Sequence, residues 1–145
     1  VAGKYGGVAP HVEAAGNEIG SKFSVKDIGG RASSGHISGS DHYTGHALDF
    51  MVYADKNKGD QILAYVKANW KRLGVKYAIW YRKYYPSPDK AENYVGTSPH
   101  TDHVHVSFTK EAGEGGPAVG SGGTGGSDMK GCLGSIIEAF GWKWW

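Results

Sequence analysis

Two short runs hold most of the residues that could do metal chemistry. The first, Ser40-Asp41-His42-Tyr43-Thr44-Gly45-His46-Ala47-Leu48-Asp49, sets His42 and Asp49 seven positions apart with the small residues Gly45 and Ala47 between them. The second, His100-Thr101-Asp102-His103-Val104-His105, follows about 50 residues later. Five of the seven histidines lie in these runs, and each run also carries an aspartate, a grouping that chance rarely produces. Zinc binds imidazole nitrogen and carboxylate oxygen well, and a catalytic zinc site keeps three protein ligands and one open position. Gly45 permits a turn that a larger residue resists, and Ala47 leaves room near a metal or against a neighbouring strand. On a strand, residues two apart project from the same face. His103 and His105 can therefore both point into one cleft, and only one of them need be a ligand. Asp102 stands three positions before His105, so its carboxylate can sit beside the metal site without binding there, as a general base requires. The remaining histidines are weaker candidates. His11 reads as a surface or satisfied core residue, His36 lies in a loop near the first run, and His100 could line the rim or support a ligand from behind.

These residues need elements to hold them. Pro10 opens a first helix, expected over about 10–20, with Val12, Ala15, Ile19 and Phe23 at roughly helical spacing; Gly16 and Gly20 weaken it. Val25–Ile28 reads as a short strand that stops at Gly29-Gly30. A polar loop over Arg31–Gly39 leads into the first run, and His46–Tyr53 alternates as the strand that carries Asp49. Lys58–Leu73 is the strongest helix, with Ile62, Leu63, Val66, Trp70 and Leu73 on one face and Gly74 as its C-cap. Val75–Tyr81 alternates as a strand, with Ala78 and Trp80 facing opposite to Tyr77, Ile79 and Tyr81. Residues 82–99, broken by Pro86, Pro88 and Pro99, read as a long loop, and loops of that length in a compact domain are often functional. Val104–Phe108 is the last core strand.

The chain has 145 residues, 39% of them hydrophobic and 12% aromatic, which suits one modest domain plus an extension and argues against overall disorder. A formal charge of +2 is too small to argue for a nucleic-acid partner and only weakly suits an anionic polymer such as a cell wall. The single cysteine, Cys132, excludes an internal disulfide framework and a cysteine-based zinc site. No apolar run approaches the ~20 residues that span a membrane. No signal peptide is visible, and a chain that starts at Val1 is expected to be a processed form or a piece of something longer. Composition shifts near Ala112. We read residues 1–111 as the catalytic domain, 112–128 as a Gly/Ser-rich linker, and 129–145 as a short amphipathic, Trp-rich tail. That tail either begins another domain or touches a wall or membrane.

At the two runs the sequence resembles a known family. Ser40-x-His42-x-x-Gly45-x-Ala47-x-Asp49 is similar to the first zinc motif of the D-alanyl-D-alanine carboxypeptidase family of zinc peptidases, peptidase family M15. Asp102-x-x-His105 is similar to its second. The wider group includes lysostaphin-type endopeptidases and the hedgehog signalling domain. The likeness covers roughly residues 8–110. It implies an α+β fold, a small, mainly antiparallel sheet with helices on one face and a zinc cleft on the other. It implies one zinc per chain on His42, Asp49 and His105, with Asp102 as general base and His103 assisting at the reacting centre. Arg31 would polarise the substrate carbonyl; it follows Gly29-Gly30, where relatives often carry Gly-Tyr-Arg, so this chain has Gly30 in place of the tyrosine. His46 falls at a variable position of the motif and is expected to point away.

The implied activity is zinc-dependent hydrolysis of peptide bonds in bacterial peptidoglycan, as a carboxypeptidase or an endolysin-like endopeptidase. The chain would then be a phage or bacterial lytic domain that works as a monomer, secreted or phage-delivered, in the cell wall. Trp80 and Ser40 are the candidates for substrate contact, Trp80 because its strand leads into the long loop. Tyr81, Tyr84, Tyr85 and Tyr94 are further candidates for the cleft wall. The competing expectation is a module that keeps the zinc site, lacks catalysis, and binds a wall or a protein.

Overall fold

The computed structural model describes residues 4–36, 38–96 and 98–111. The expected linker and tail, 112–128 and 129–145, lie outside them. After a short 3-10 turn at Lys4–Gly6 come α1 (Pro10–Phe23), β1 (Ile28–Gly29), β2 (Ala47–Met51), α2 (Lys56–Ala68), α3 (Trp70–Leu73), β3 (Val75–Trp80), β4 (Lys83–Ser87), β5 (Lys90–Asn93) and β6 (His103–Phe108). The strands form one antiparallel sheet in the order β1-β2-β6-β3-β4-β5. This is the expected α+β architecture. No described helix is long and apolar enough to cross a membrane.

The sheet has two chemically distinct faces because its central strands alternate in step. β2 pairs with β6 so that Leu48 meets Val106 and Phe50 meets Val104, while Asp49 meets His105 and Met51 meets His103. β6 pairs with β3 so that Val106 meets Ala78 and His105 meets Ile79. Successive side chains on a strand point to opposite faces. The apolar set therefore turns one way, toward Val12, Ala15 and Ile19 of α1 and Ile62, Leu63 and Val66 of α2, in one buried core. Each large aliphatic side chain in it contributes about 1.5–3 kcal/mol by leaving water. The other face carries Asp49, His103, His105 and Ser107, flanked by a smaller buried cluster of Tyr77, Ile79, Tyr84 and Tyr94.

Several boundaries differ from the sequence expectation. The first helix runs on through Gly20 to Phe23, where Ser24 takes a left-handed φ of 56° and its N–H bonds back to the Gly20 carbonyl. The strand expected at Val25–Ile28 is a two-residue pairing, Ile28–Gly29, against β2. The second helix starts earlier, capped by Asp55 Oδ1 on the Lys58 N–H at 3.0 Å, and is interrupted at Asn69. The expected loop over 82–99 contains the β4–β5 hairpin. Pro86 sits where the register slips between Tyr84↔Glu92 and Ser87↔Lys90, so a residue without an N–H falls in a bulge and removes no ladder bond.

Candidate metal centre

The first motif is a turn that the backbone ties down on both sides. The His46 N–H bonds to the Asp41 carbonyl at 2.9 Å, and the Gly45 carbonyl accepts from the Ala9 N–H at 3.0 Å. Gly45 has φ +79°, and a Cβ there would lie 3.1 Å from the Val8 Cα, so both conformation and space require glycine. The Ser40 hydroxyl accepts the His42 N–H at 3.2 Å. Ser40 is buried in this role. It shapes the turn, and its hydroxyl is turned to the backbone of His42.

From this turn His42 reaches the face where β2 and β6 present Asp49 and His105. His42 Nε2 lies 3.2 Å from Asp49 Oδ2, and His105 Nδ1 lies 2.8 Å from Asp49 Oδ1. One ligand atom from each of the three residues falls within 4.8 Å of the others. Tetrahedral bonds of zinc to nitrogen and oxygen imply ligand-to-ligand edges of roughly 3.3 Å. The His42 ring is fixed by a 2.7 Å hydrogen bond from Nδ1 to the Gly30 carbonyl. That bond leaves Nε2 as the lone-pair nitrogen, buried and with no hydrogen bond among the described residues. With Nε2 facing Asp49 Oδ2, two buried acceptors meet at a cost in free energy, and a cation among these three groups removes that cost. The residues therefore fit a metal ion.

The electrostatics favour a cation. Burial alone would raise the Asp49 carboxyl, but His105 and His42 beside it hold it well below the usual carboxylate range. Burial pushes His105 down, against the pull of Asp49, so its imidazole is neutral. Burial also acts downward on His42, but the Asp49 carboxylate and the Gly30 carbonyl outweigh it and leave His42 above the ordinary histidine value. A proton on His42 is thus the main competitor of a metal at this site.

His103 projects from the same face as His105. Its Nε2 is 3.8 Å from Asp49 Oδ1, and its Nδ1 donates to Asp102 Oδ1 at 2.7 Å. Asp102, whose side chain is 59% exposed, stands behind His103 relative to the metal ligands. The segment that carries it is clamped from two sides. The Asp102 carbonyl accepts the Val52 and Tyr53 N–H groups at 2.9 and 2.8 Å, and the His100 and Pro99 carbonyls accept those of Tyr81 and Arg82 at 2.8 and 3.0 Å. Tyr53, Tyr81, Arg82 and His100 all have positive φ, the left-handed strain that tends to collect at functional sites.

Arg31 is exposed and lines an open cavity of about 440 Å³ with Gly6, Ala32, Ser33 and Tyr43. The next residue, Ala32, donates its N–H to the His42 carbonyl at 3.1 Å, so this cavity adjoins the His42 turn. Trp80 is elsewhere. Its ring packs on Gly59 of α2, its Nε1 donates to Asp60 at 2.9 Å, and it belongs to the core on the helix side. Its expected place in the cleft wall is corrected by strand parity: Ile79 shares the His105 face, so Trp80 cannot. Tyr84 and Tyr94 lie on the side of the site, while Tyr85 packs against the helix-side core. His46 turns toward His11, with ring centroids 6.0 Å apart.

Two histidines of secondary rank join the site. The His36 ring stacks on that of His42 at 4.2 Å and 17°, and its backbone is gripped by the Tyr43 hydroxyl. His100 is 1% exposed and lies 4.6 Å from the His103 ring and 5.9 Å from that of His105. Sequence reasoning passed over Ser107 and Tyr77, which touch His105 from behind. The signal available for Ser107 was its place two residues after His105, on the same strand face.

Compared with curated proteins and with solved structures, the chain matches none. The family described as VldE, C-terminal domain, matches over residues 4–105, from the first described turn to the last metal-ligand candidate. With 70% of its length inside that match, the chain belongs to the VldE C-terminal domain family.

Proposed function

We propose that this protein is a zinc-dependent hydrolase of peptide bonds in bacterial peptidoglycan, of carboxypeptidase or endopeptidase type. The observation that carries the reading is the buried His42–Asp49–His105 group with a His103–Asp102 pair at its open side. His42, Asp49 and His105 would hold the ion. Zinc, when bound, supplies Lewis acidity and makes water acidic enough to lose a proton near neutral pH. The description of the matched family states no reaction, so this reading rests on the site and on the two motifs.

The chain's own residues support the proton transfers. His103 Nε2 faces the site and accepts the proton of the attacking water. The Asp102 carboxylate, hydrogen-bonded to Nδ1, stabilises the resulting imidazolium. The same nitrogen then returns the proton to the leaving amine as the C–N bond breaks. The motifs imply Asp102 as the base with His103 assisting; the exposure of Asp102 and its bond to His103 favour His103 as the group that takes the proton, backed by Asp102. Arg31, in the cavity beside the His42 turn, would polarise the carbonyl of the scissile bond, as the first motif's resemblance implies.

The test is release of new amino groups from purified peptidoglycan, abolished by a chelator and restored by zinc. Asp102→Ala and His103→Ala should both keep the metal and lose about 10²–10⁴-fold in rate. Full activity in His103→Ala returns the base role to Asp102 alone. No release from any wall type moves the assignment to a zinc-containing binding module.

A further inference from the structure

His105 engages both ring nitrogens. Nδ1 faces Asp49 Oδ1 at 2.8 Å, and Nε2 faces Ser107 Oγ at 2.9 Å. Ser107 is fully buried and, as the register partner of Tyr77 on β3, is placed to donate to its phenol. The Tyr77 hydroxyl lies 3.3 Å from Asp41 Oδ2, and Lys76 Nζ holds the same carboxylate at 3.1 and 3.2 Å. The Tyr77 ring also stacks on that of His105, with centroids 5.7 Å apart and planes at 19°. Hydrolysis as proposed uses none of Asp41, Tyr77 and Ser107, yet buried polar groups are retained only where their hydrogen bonds close.

Counting protons gives the chain a direction. A neutral imidazole, a serine hydroxyl and a phenol each have one hydrogen to donate, and a carboxylate has none. If His105 Nε2–H donates to Ser107, Ser107 to Tyr77, and Tyr77 to Asp41, every hydrogen in the run finds an acceptor and the run ends on an anion. The reverse order turns the Tyr77 hydrogen away from that anion. The first order leaves the Nδ1 lone pair and Asp49 Oδ1 facing each other as two acceptors, an arrangement that a cation between them relieves. The carboxylate at the far end is one residue from His42, so the same run joins the turn of one ligand to the strand of another.

We infer that Asp41, Tyr77 and Ser107 are positioning residues that set the tautomer of His105, presenting Nδ1 to the metal, and lock the His42 turn to β6. This inference rests on the reading of His42, Asp49 and His105 as metal ligands. Groups behind a metal-bound histidine commonly govern affinity by 10–100-fold.

The test measures zinc affinity by chelator competition in the wild-type chain and in Ser107→Ala, Tyr77→Phe, Asp41→Asn and Ser107→Thr. The first three should each weaken binding by roughly 10–100-fold. Ser107→Thr, which keeps the hydroxyl, should recover most of the loss. The double variant Tyr77→Phe/Ser107→Ala should lose little more than the worse single, because both break one chain. Asp41→Asn alters the half-buried outer end, so it keeps the readout available if a core variant does not fold. The ¹⁵N shifts of the zinc-loaded wild type should show His105 protonated at Nε2. Wild-type affinity in Ser107→Ala and Asp41→Asn, or an Nδ1–H tautomer with zinc bound, overturns the inference. A wild-type chain that binds no zinc or cobalt overturns the metal reading itself, and this inference with it.

Discussion

His100 offers a quantitative check on the electrostatics of the site. It is 1% exposed, its Nδ1 donates to the Ser98 carbonyl at 2.8 Å, and its Nε2 has no hydrogen-bond partner among the described residues. Burial first, then the nearby His105 and His103, push its imidazole down to about 3. The unfolded chain titrates this group at about 6.5. Between those values the unfolded state takes up a proton that the folded state refuses, so stability rises with pH. The contribution is complete above the unfolded value and is lost as pH falls toward the folded one. Between about pH 7 and pH 4.5 the loss is ~2.5 kcal/mol. The perturbation is His100→Asn, because asparagine tolerates the left-handed φ of 54° and its amide can replace the Nδ1–H donor. Urea unfolding at the two pH values, with a chelator present, gives the stability difference for each protein. His42 and Asp49 also titrate differently in the folded chain, but they do so in both proteins and cancel in the comparison. The wild type should lose ~2.5 kcal/mol more than the variant over this interval. Parallel profiles would refute the claim that His100 is held neutral in the folded chain.

Other expectations follow from the same geometry. His42→Ala or His105→Ala should abolish stoichiometric metal binding, read by metal analysis after dialysis; undiminished zinc in either variant removes it from the ligand set. Because His42 is held above the ordinary histidine value, metal affinity should be flat at alkaline pH and fall about tenfold per pH unit below the His42 value. Competition titrations across pH check this, and a flat profile through the acid range contradicts it. Gly59→Ala should cost about 1–3 kcal/mol in a denaturation experiment, since a Cβ would lie 2.2 Å from the Trp80 ring in the packed core.

Much of the site was legible because its logic is local. Seven positions separate His42 from Asp49, and the intervening glycine marks a turn that the chain does make, at φ +79°. The alternation of β6 put His103, His105 and Ser107 on one face and Val104, Val106 and Phe108 on the other, as period two requires. What was missed depended on partners distant in sequence. The parity of β3 separated Trp80 from Tyr77 correctly, but only its pairing with β6 shows which set meets the helices. Pro86 pointed to a loop, and a bulge opposite β5 accommodated it within a strand. The end of α1 was placed too early because glycine propensity is a weak, local penalty that packing of Val12, Ala15 and Ile19 overrides.

By itself, then, the sequence determined the donor types, their spacing along the chain, and the α+β pattern, since side-chain chemistry and the periods of helix and strand belong to the local backbone. The tertiary structure alone decided that the two runs converge, that Asp102 stands behind His103, and that His105 is backed by Ser107, Tyr77 and Asp41. Those outcomes depend on the register of β2, β6 and β3, where a slip of one residue would turn Asp49 and His105 to opposite faces of the sheet.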